Sequence, residues 1–214
     1  MDASELIAGF EPENDLERRV TAEPELLEGL AWGEPRASHP EGAVGTHVSH
    51  LLSTLDRRGE TGERRAKLRF MALVHDSFKY QVRDRLPRAG ENHHATRARR
   101  FAERFTDNEG ILSAIQFHDR PYALWRKLQR KGKLDERGFE RMMRCVTDPG
   151  LFLRFVELDG STDGKRPEPI TWFREELTTR GYLDGAKPPE PRARGRRRRA
   201  QARLRESVRS RRAG

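Results

Sequence analysis

Cysteine is nearly absent from this chain of 214 residues: Cys145 stands alone, so no internal disulfide can form. It sits among Met142, Met143 and Val146 with no base near it in sequence, which predicts buried packing rather than a nucleophile. Long apolar runs are missing too; none approaches the ~20 residues that a membrane-spanning helix needs. The acidic start Met1-Asp2-Ala3-Ser4-Glu5 lacks the basic opening of a signal peptide, so a cytoplasmic protein with no membrane partner is expected. No segment alternates apolar and polar residues, which predicts no strand. Neither an internal repeat nor a Gly-rich phosphate loop is present.

Charge is plentiful but unevenly placed. Residues 186–214 carry 12 Lys/Arg against two Glu, so the other 185 residues sum to −1 of the overall +9. This end opens with Pro188-Pro189-Glu190-Pro191, runs through Arg196–Arg199, and has only Leu204 and Val208 as larger apolar residues. Such a composition cannot bury a core and predicts a disordered Arg-rich tail. It would bind RNA, DNA or another polyanion nonspecifically, or serve only as a solubilising extension. The rest reads as all-α. Residues 1–38 form an N-terminal helical cap, with pieces near 14–20 and 24–31 punctuated by Pro12, Pro24, Pro35 and Pro40. Residues 39–185 form the main domain, with helices near 42–58, 63–78, 93–106, 109–118, 121–131, 135–146, 149–160 and 168–182. The stretch 83–92 is a polar loop.

Five of these helices share an anomaly. Val44-His47-Val48-Leu51 follows the i, i+3, i+4, i+7 spacing of a core-facing stripe. So do Leu68-Met71-Ala72-His75, Ile111-Ala114-Ile115-His118 and Phe152-Phe155-Val156-Asp159; His94 lies one turn before Ala98-Phe101-Ala102-Phe105. An isolated core histidine is commonplace. Five helices each turning an imidazole or carboxylate inward, where Leu would cost less, call for a shared cation to satisfy them. His94 is a better ligand than His93, which falls about 100° round the helix beside Arg97 and Arg100. His50 lies off the inner face, His39 in a proline turn, and Asp163 beyond the Gly160 that ends its helix. Asp119, following His118, suits an outer partner that orients an imidazole.

The ordered set His47, His75–Asp76 and Asp159 resembles the H…HD…D signature of the HD-domain metal-dependent phosphohydrolases. Ala72-Leu73-Val74-His75-Asp76-Ser77-Phe78-Lys79 is similar to that family's apolar-HD-x-x-K segment, with Phe78 where glycine is usual. His39-Pro40-Glu41-Gly42-Ala43-Val44-Gly45-Thr46-His47 resembles the entry to the HD domain of bacterial CCA-adding enzymes, whose nucleotidyltransferase domain is missing here. His94 with Ala98 and Phe101 resembles the helix that supplies a further ligand in dinuclear members. The likeness covers about residues 39 to 165. It implies an HD-domain helical bundle in which His47, His75, Asp76 and Asp159 hold the first metal.

Imidazoles and carboxylates without thiolate suit divalent Mn, Fe, Co, Ni, Zn or Mg. His94 and His118 either complete a second metal site with Asp76 bridging, or bind phosphate and protonate the leaving oxygen. The expected activity is hydrolysis of a phosphomonoester or phosphodiester, with a small phosphorylated substrate such as a nucleotide, by a metal-activated hydroxide. Asp76, Lys79, His94 and His118 are the candidate catalytic residues. Lys79, Arg97 and Arg120 are the candidate phosphate contacts, Lys79 through its place one helical turn after His75. Two alternatives stand beside this: an HD-type di-iron oxygenase, and a nonenzymatic metal-bearing regulatory module associated with nucleic acid. Oligomeric state is not legible.

Overall fold

Short polar side chains decide where five of the helices begin. Asp2, Asn14, Asn108, Asp135 and Asp148 each accept a backbone N–H of the helix that follows, and Asp2 pairs reciprocally with Glu5 in a capping box. The computed structural model describes residues 2–35, 42–162 and 165–183. Among these residues lie eleven α-helices and no strand, as the all-α reading expects. They are α1 (Ala3–Leu6), α2 (Asp15–Thr21), α3 (Pro24–Ala31), α4 (Val44–Arg57), α5 (Gly62–Val74) and α6 (His94–Ala102). The series continues with α7 (Glu109–Phe117), α8 (Arg120–Lys131), α9 (Glu136–Cys145), α10 (Pro149–Asp159) and α11 (Glu168–Thr179). Two 3-10 turns, Lys79–Gln81 and Gly90–Asn92, bracket the polar connection before α6. No described helix is long and apolar enough to cross a membrane. The expected disordered tail, His39 and Asp163 fall outside the described residues.

The apolar stripes meet in one cluster. Helix α7 packs on α6, α10 and α5; α4 lies against α5 and α10; α11 joins α8 to α10. Phe70, Phe78, Phe139, Phe152, Phe155 and Phe173 are fully buried at its centre. Each such side chain contributes about 1.5–3 kcal/mol, so packing rather than helix propensity holds these short helices. Ile7, Val20, Leu26 and Leu30 of the N-terminal helices belong to the same core. Two glycines let those helices come close. A methyl group at Gly29 of α3 would stand 1.6 Å from the Ser77 carbonyl oxygen, and one at Gly45 of α4 would stand 2.3 Å from that of Leu6. The α3 helix thereby braces the turn that carries Asp76.

Two sequence expectations fail here. Cys145 is exposed, not buried: Phe139, Met142, Met143 and Val146 form the inward stripe of α9, and Cys145 falls off it. Helix α5 ends at Val74 rather than near residue 78. Phe78 is buried against Phe101, with ring centroids 5.0 Å apart, so it continues the apolar pattern while the chain has already turned.

Candidate metal centre

The inward His and Asp residues of the stripes sit at or near helix ends. His75 and His118 are the C-caps of α5 and α7, and Asp159 is the last residue of α10. His94 opens α6, and His47 lies near the start of α4. Three helix C-termini therefore bring the negative ends of their dipoles to the cluster, a field that favours a cation.

Backbone carbonyls fix two of the rings. His75 Nδ1 lies 3.1 Å from the Ala72 oxygen and His118 Nδ1 lies 2.8 Å from that of Ile115. A carbonyl only accepts, so each Nδ1 carries hydrogen and each Nε2 points into the cluster. His75 Nε2 is buried with no hydrogen-bond partner, 3.5 Å from Asp76 Oδ2 and 3.6 Å from Asp159 Oδ1. Asp76 Oδ1 is likewise buried and lacks a hydrogen bond of good geometry, although His94 Nε2 and His118 Nε2 approach to 3.3 and 3.4 Å. Those two nitrogens are themselves 3.3 Å apart. On the far side His47 Nε2 meets Asp159 Oδ1 at 3.0 Å. The edge of Phe155 closes the floor beneath His75, centroids 5.2 Å apart.

The donor atoms form overlapping groups able to hold a metal ion: His47, His75 and Asp76 in one, Asp76, His94 and His118 in the next, with all ligand atoms of a group within 4.8 Å of one another. Asp76 belongs to both. Orphaned buried acceptors facing each other at these distances fit a divalent cation, as the nitrogen and oxygen donor set does. His94, Asp159, Lys79 and Lys165 keep 15, 18, 23 and 27% of their side-chain surface exposed, so the cluster opens to solvent.

Two buried carboxylates and the cations beside them set its electrostatics. Burial would raise the carboxyls of Asp76 and Asp159, yet Lys79 with His75, and Lys165 with His47, hold them well below the usual range. Burial lowers His47 and His94 despite their carboxylate partners. Burial also opposes charge on His118, but Asp76, Asp119 and Asp159 outweigh it and push this imidazole up to about 9.

The structure thus brings together His47, His75, Asp76, His94, His118 and Asp159. Lys79 is not one helical turn beyond His75, because α5 has ended; from the 3-10 turn its amine reaches back to Asp76 Oδ2. Arg97 donates to Gln81 Oε1 at 3.1 Å, tying α6 to that same turn, and its buried Nε has no hydrogen-bond partner. Arg120 is exposed at the start of α8. His93 stacks on His94, accepts the Ala95 N–H at Nδ1, and so turns Nε2–H toward Asp119 Oδ2 at 3.3 Å. Desolvation raises Asp119, but His93, His118 and His94 bring it to about 2. His93, His94 and Asp119 form a third potential ligand group. His50 is exposed. Sequence reasoning misses Lys165, whose amine lies 2.7 Å from both the backbone oxygen and Oδ1 of Asp159. Nothing marks it among 43 Lys and Arg.

Fold and site define an all-helical protein with a buried His/Asp cluster able to hold a metal ion. No family model, curated protein or solved structure matches the chain.

Proposed function

We propose that this protein is a metal-dependent phosphohydrolase cleaving a phosphomonoester or phosphodiester of a nucleotide at the His/Asp cluster. The observation that carries the reading is the sharing of Asp76 between two ligand groups, with His75 Nε2 and Asp76 Oδ1 buried and lacking hydrogen bonds. A divalent ion bound there would lower the pKa of water and neutralise charge on phosphate oxygens. The chain's own residues prepare for it. Ala72 and Ile115 orient two imidazoles, while Lys79 and Lys165 keep Asp76 and Asp159 ionised. The same two lysines form a partly exposed cationic rim for phosphate oxygens, with Arg97 behind. His94, the more exposed of the inner imidazoles, is placed either as a ligand or as the donor to a leaving oxygen. The H…HD…D-like set serves hydrolysis and oxygen activation alike; Lys79 beside Asp76 favours a phosphate substrate.

Elemental analysis of purified protein, followed by phosphate release from a panel of nucleotides, tests this. Stoichiometric divalent metal and turnover of at least one nucleotide are expected, and Asp76→Asn should lose both. Unchanged metal content in Asp76→Asn would remove the proposed ligand set. A metal-loaded protein that releases phosphate from no nucleotide would leave the cluster standing and remove the activity.

A further inference from the structure

Outside the tail the chain is close to neutral, yet α8 concentrates positive charge. Its twelve residues include Arg120, Arg126, Lys127, Arg130 and Lys131 and no acid. An open groove of about 870 Å³ runs beside it, lined among others by Arg120, Trp125, Arg130 and Arg166. Asp135 is the one acid among the described lining residues, and it is taken by Lys127 at 2.6 Å. Arg120, Arg126, Arg130 and Arg166 are exposed and have no ion pair among the described residues. A chain that pairs Arg65, Arg69, Arg99, Arg104 and Arg180 with carboxylates has left this set open. The same helix carries aromatics. Tyr122 is 44% exposed, one of three large apolar side chains so placed among the described residues, and it stacks on Trp125 with centroids 6.2 Å apart at 26°. The Arg126 guanidinium lies over the Tyr122 ring at 5.0 Å.

We propose that the exposed surface of α8 binds single-stranded nucleic acid. Arg120 and Arg130 are ten residues apart on one helix, about 15 Å, so the cations suit an extended polyanion better than one phosphate group. Phosphate contacts supply affinity, and exposed rings interleaved with arginine supply stacking for unpaired bases. An acidic peptide would satisfy the arginines but has no flat group for Tyr122, and a duplex hides its base faces. Arg120 follows directly on His118–Asp119, so the groove begins at the edge of the His/Asp cluster. The proposal does not depend on hydrolysis there.

Fluorescence anisotropy with a labelled oligothymidylate of about 20 nucleotides, using the full chain with its Arg-rich end intact, tests it. Arg120→Glu with Arg126→Glu and Arg130→Glu should weaken binding at least about tenfold. The log–log salt slope should shrink by about 2 from lost phosphate contacts, with circular dichroism confirming the fold. Tyr122→Ala, at an exposed position, should weaken binding roughly tenfold and leave the slope unchanged. Wild-type affinity in both variants would assign binding to the Arg-rich end and overturn the proposal. Equal affinity for a duplex of the same length, or equal competition by polyglutamate, would overturn it in favour of a generic polyanion or acidic-peptide surface.

Discussion

Helix α5 carries two buried charge clusters, and they are built on opposite principles. At its middle, Arg69 meets Glu17 of α2 through two bonds of 2.8 Å, with both side chains almost wholly buried. Arg69 also donates to the Glu11 carbonyl at 2.9 Å, and Glu17 accepts the Glu13 N–H at 2.9 Å. Donors and acceptors are matched. Six residues on, at the end of the same helix, His75 Nε2 and Asp76 Oδ1 are buried with no hydrogen bond. An unmatched buried group is costly, so its persistence points to something beyond folding. The first cluster ties the N-terminal helices to the bundle; the second holds acceptors apart for a cation. Both have buried charged members, and the hydrogen-bond accounting tells them apart.

Breaking the matched cluster should have the largest effect. Arg69→Ala leaves the Glu17 carboxyl group buried without its partner, and urea unfolding should show a loss of about 3–5 kcal/mol. Replacing both, Arg69→Met with Glu17→Leu, should recover most of it. The metal-to-protein ratio of Arg69→Ala, measured well below its unfolding transition, should equal that of the wild type. A loss under about 1 kcal/mol for Arg69→Ala would mean the pair is not the anchor that its geometry suggests.

The unmatched cluster should respond to pH. The folded pKa of His118, about 9, lies above its ordinary 6.5, so protonation of this buried ring favours the folded state. That contribution is complete below about pH 6.5 and is lost as pH rises through about 9; it amounts to at most about 3 kcal/mol. Metal-stripped protein should therefore lose stability over this window. Metal affinity should rise across the same window, because a proton no longer competes for Nε2. His118→Gln should flatten the stability profile. A wild-type profile already flat from pH 6.5 to 9 would show that the carboxylates around His118 do not hold its proton.

Much of this architecture was legible because each apolar stripe runs to the helix end where its polar residue sits. Val44-His47-Val48 and Ile115-His118 announce both the helix and the site. Legibility fails where the pattern and the backbone part. Phe78 keeps the stripe of α5 going after the helix has turned, so Lys79 is assigned to a helical face when its amine in fact folds back on Asp76. Arg69 and Glu17 lie 52 residues apart with no periodic feature to link them. Helix α1 is four residues long, and its one local sign is the Asp2–Glu5 capping box.

The smallest expected effect concerns Lys165 and has the opposite sign from the others. Its amine holds Asp159 Oδ1, the oxygen that also meets His47 and faces His75. The lysine is 27% exposed, so removing it should cost the metal-stripped protein about 1 kcal/mol or less. A cation arriving at the cluster would meet one positive charge fewer and find that oxygen less engaged. Lys165→Ala should thus lower thermal stability slightly while tightening metal binding several-fold; Lys165→Arg should keep wild-type affinity. Calorimetric titration of metal-stripped protein separates two roles for the residue. If Lys165→Ala binds metal more weakly, the lysine positions the Asp159 carboxylate for the cation instead of competing with it, and the two charges belong to one preorganised arm of the site.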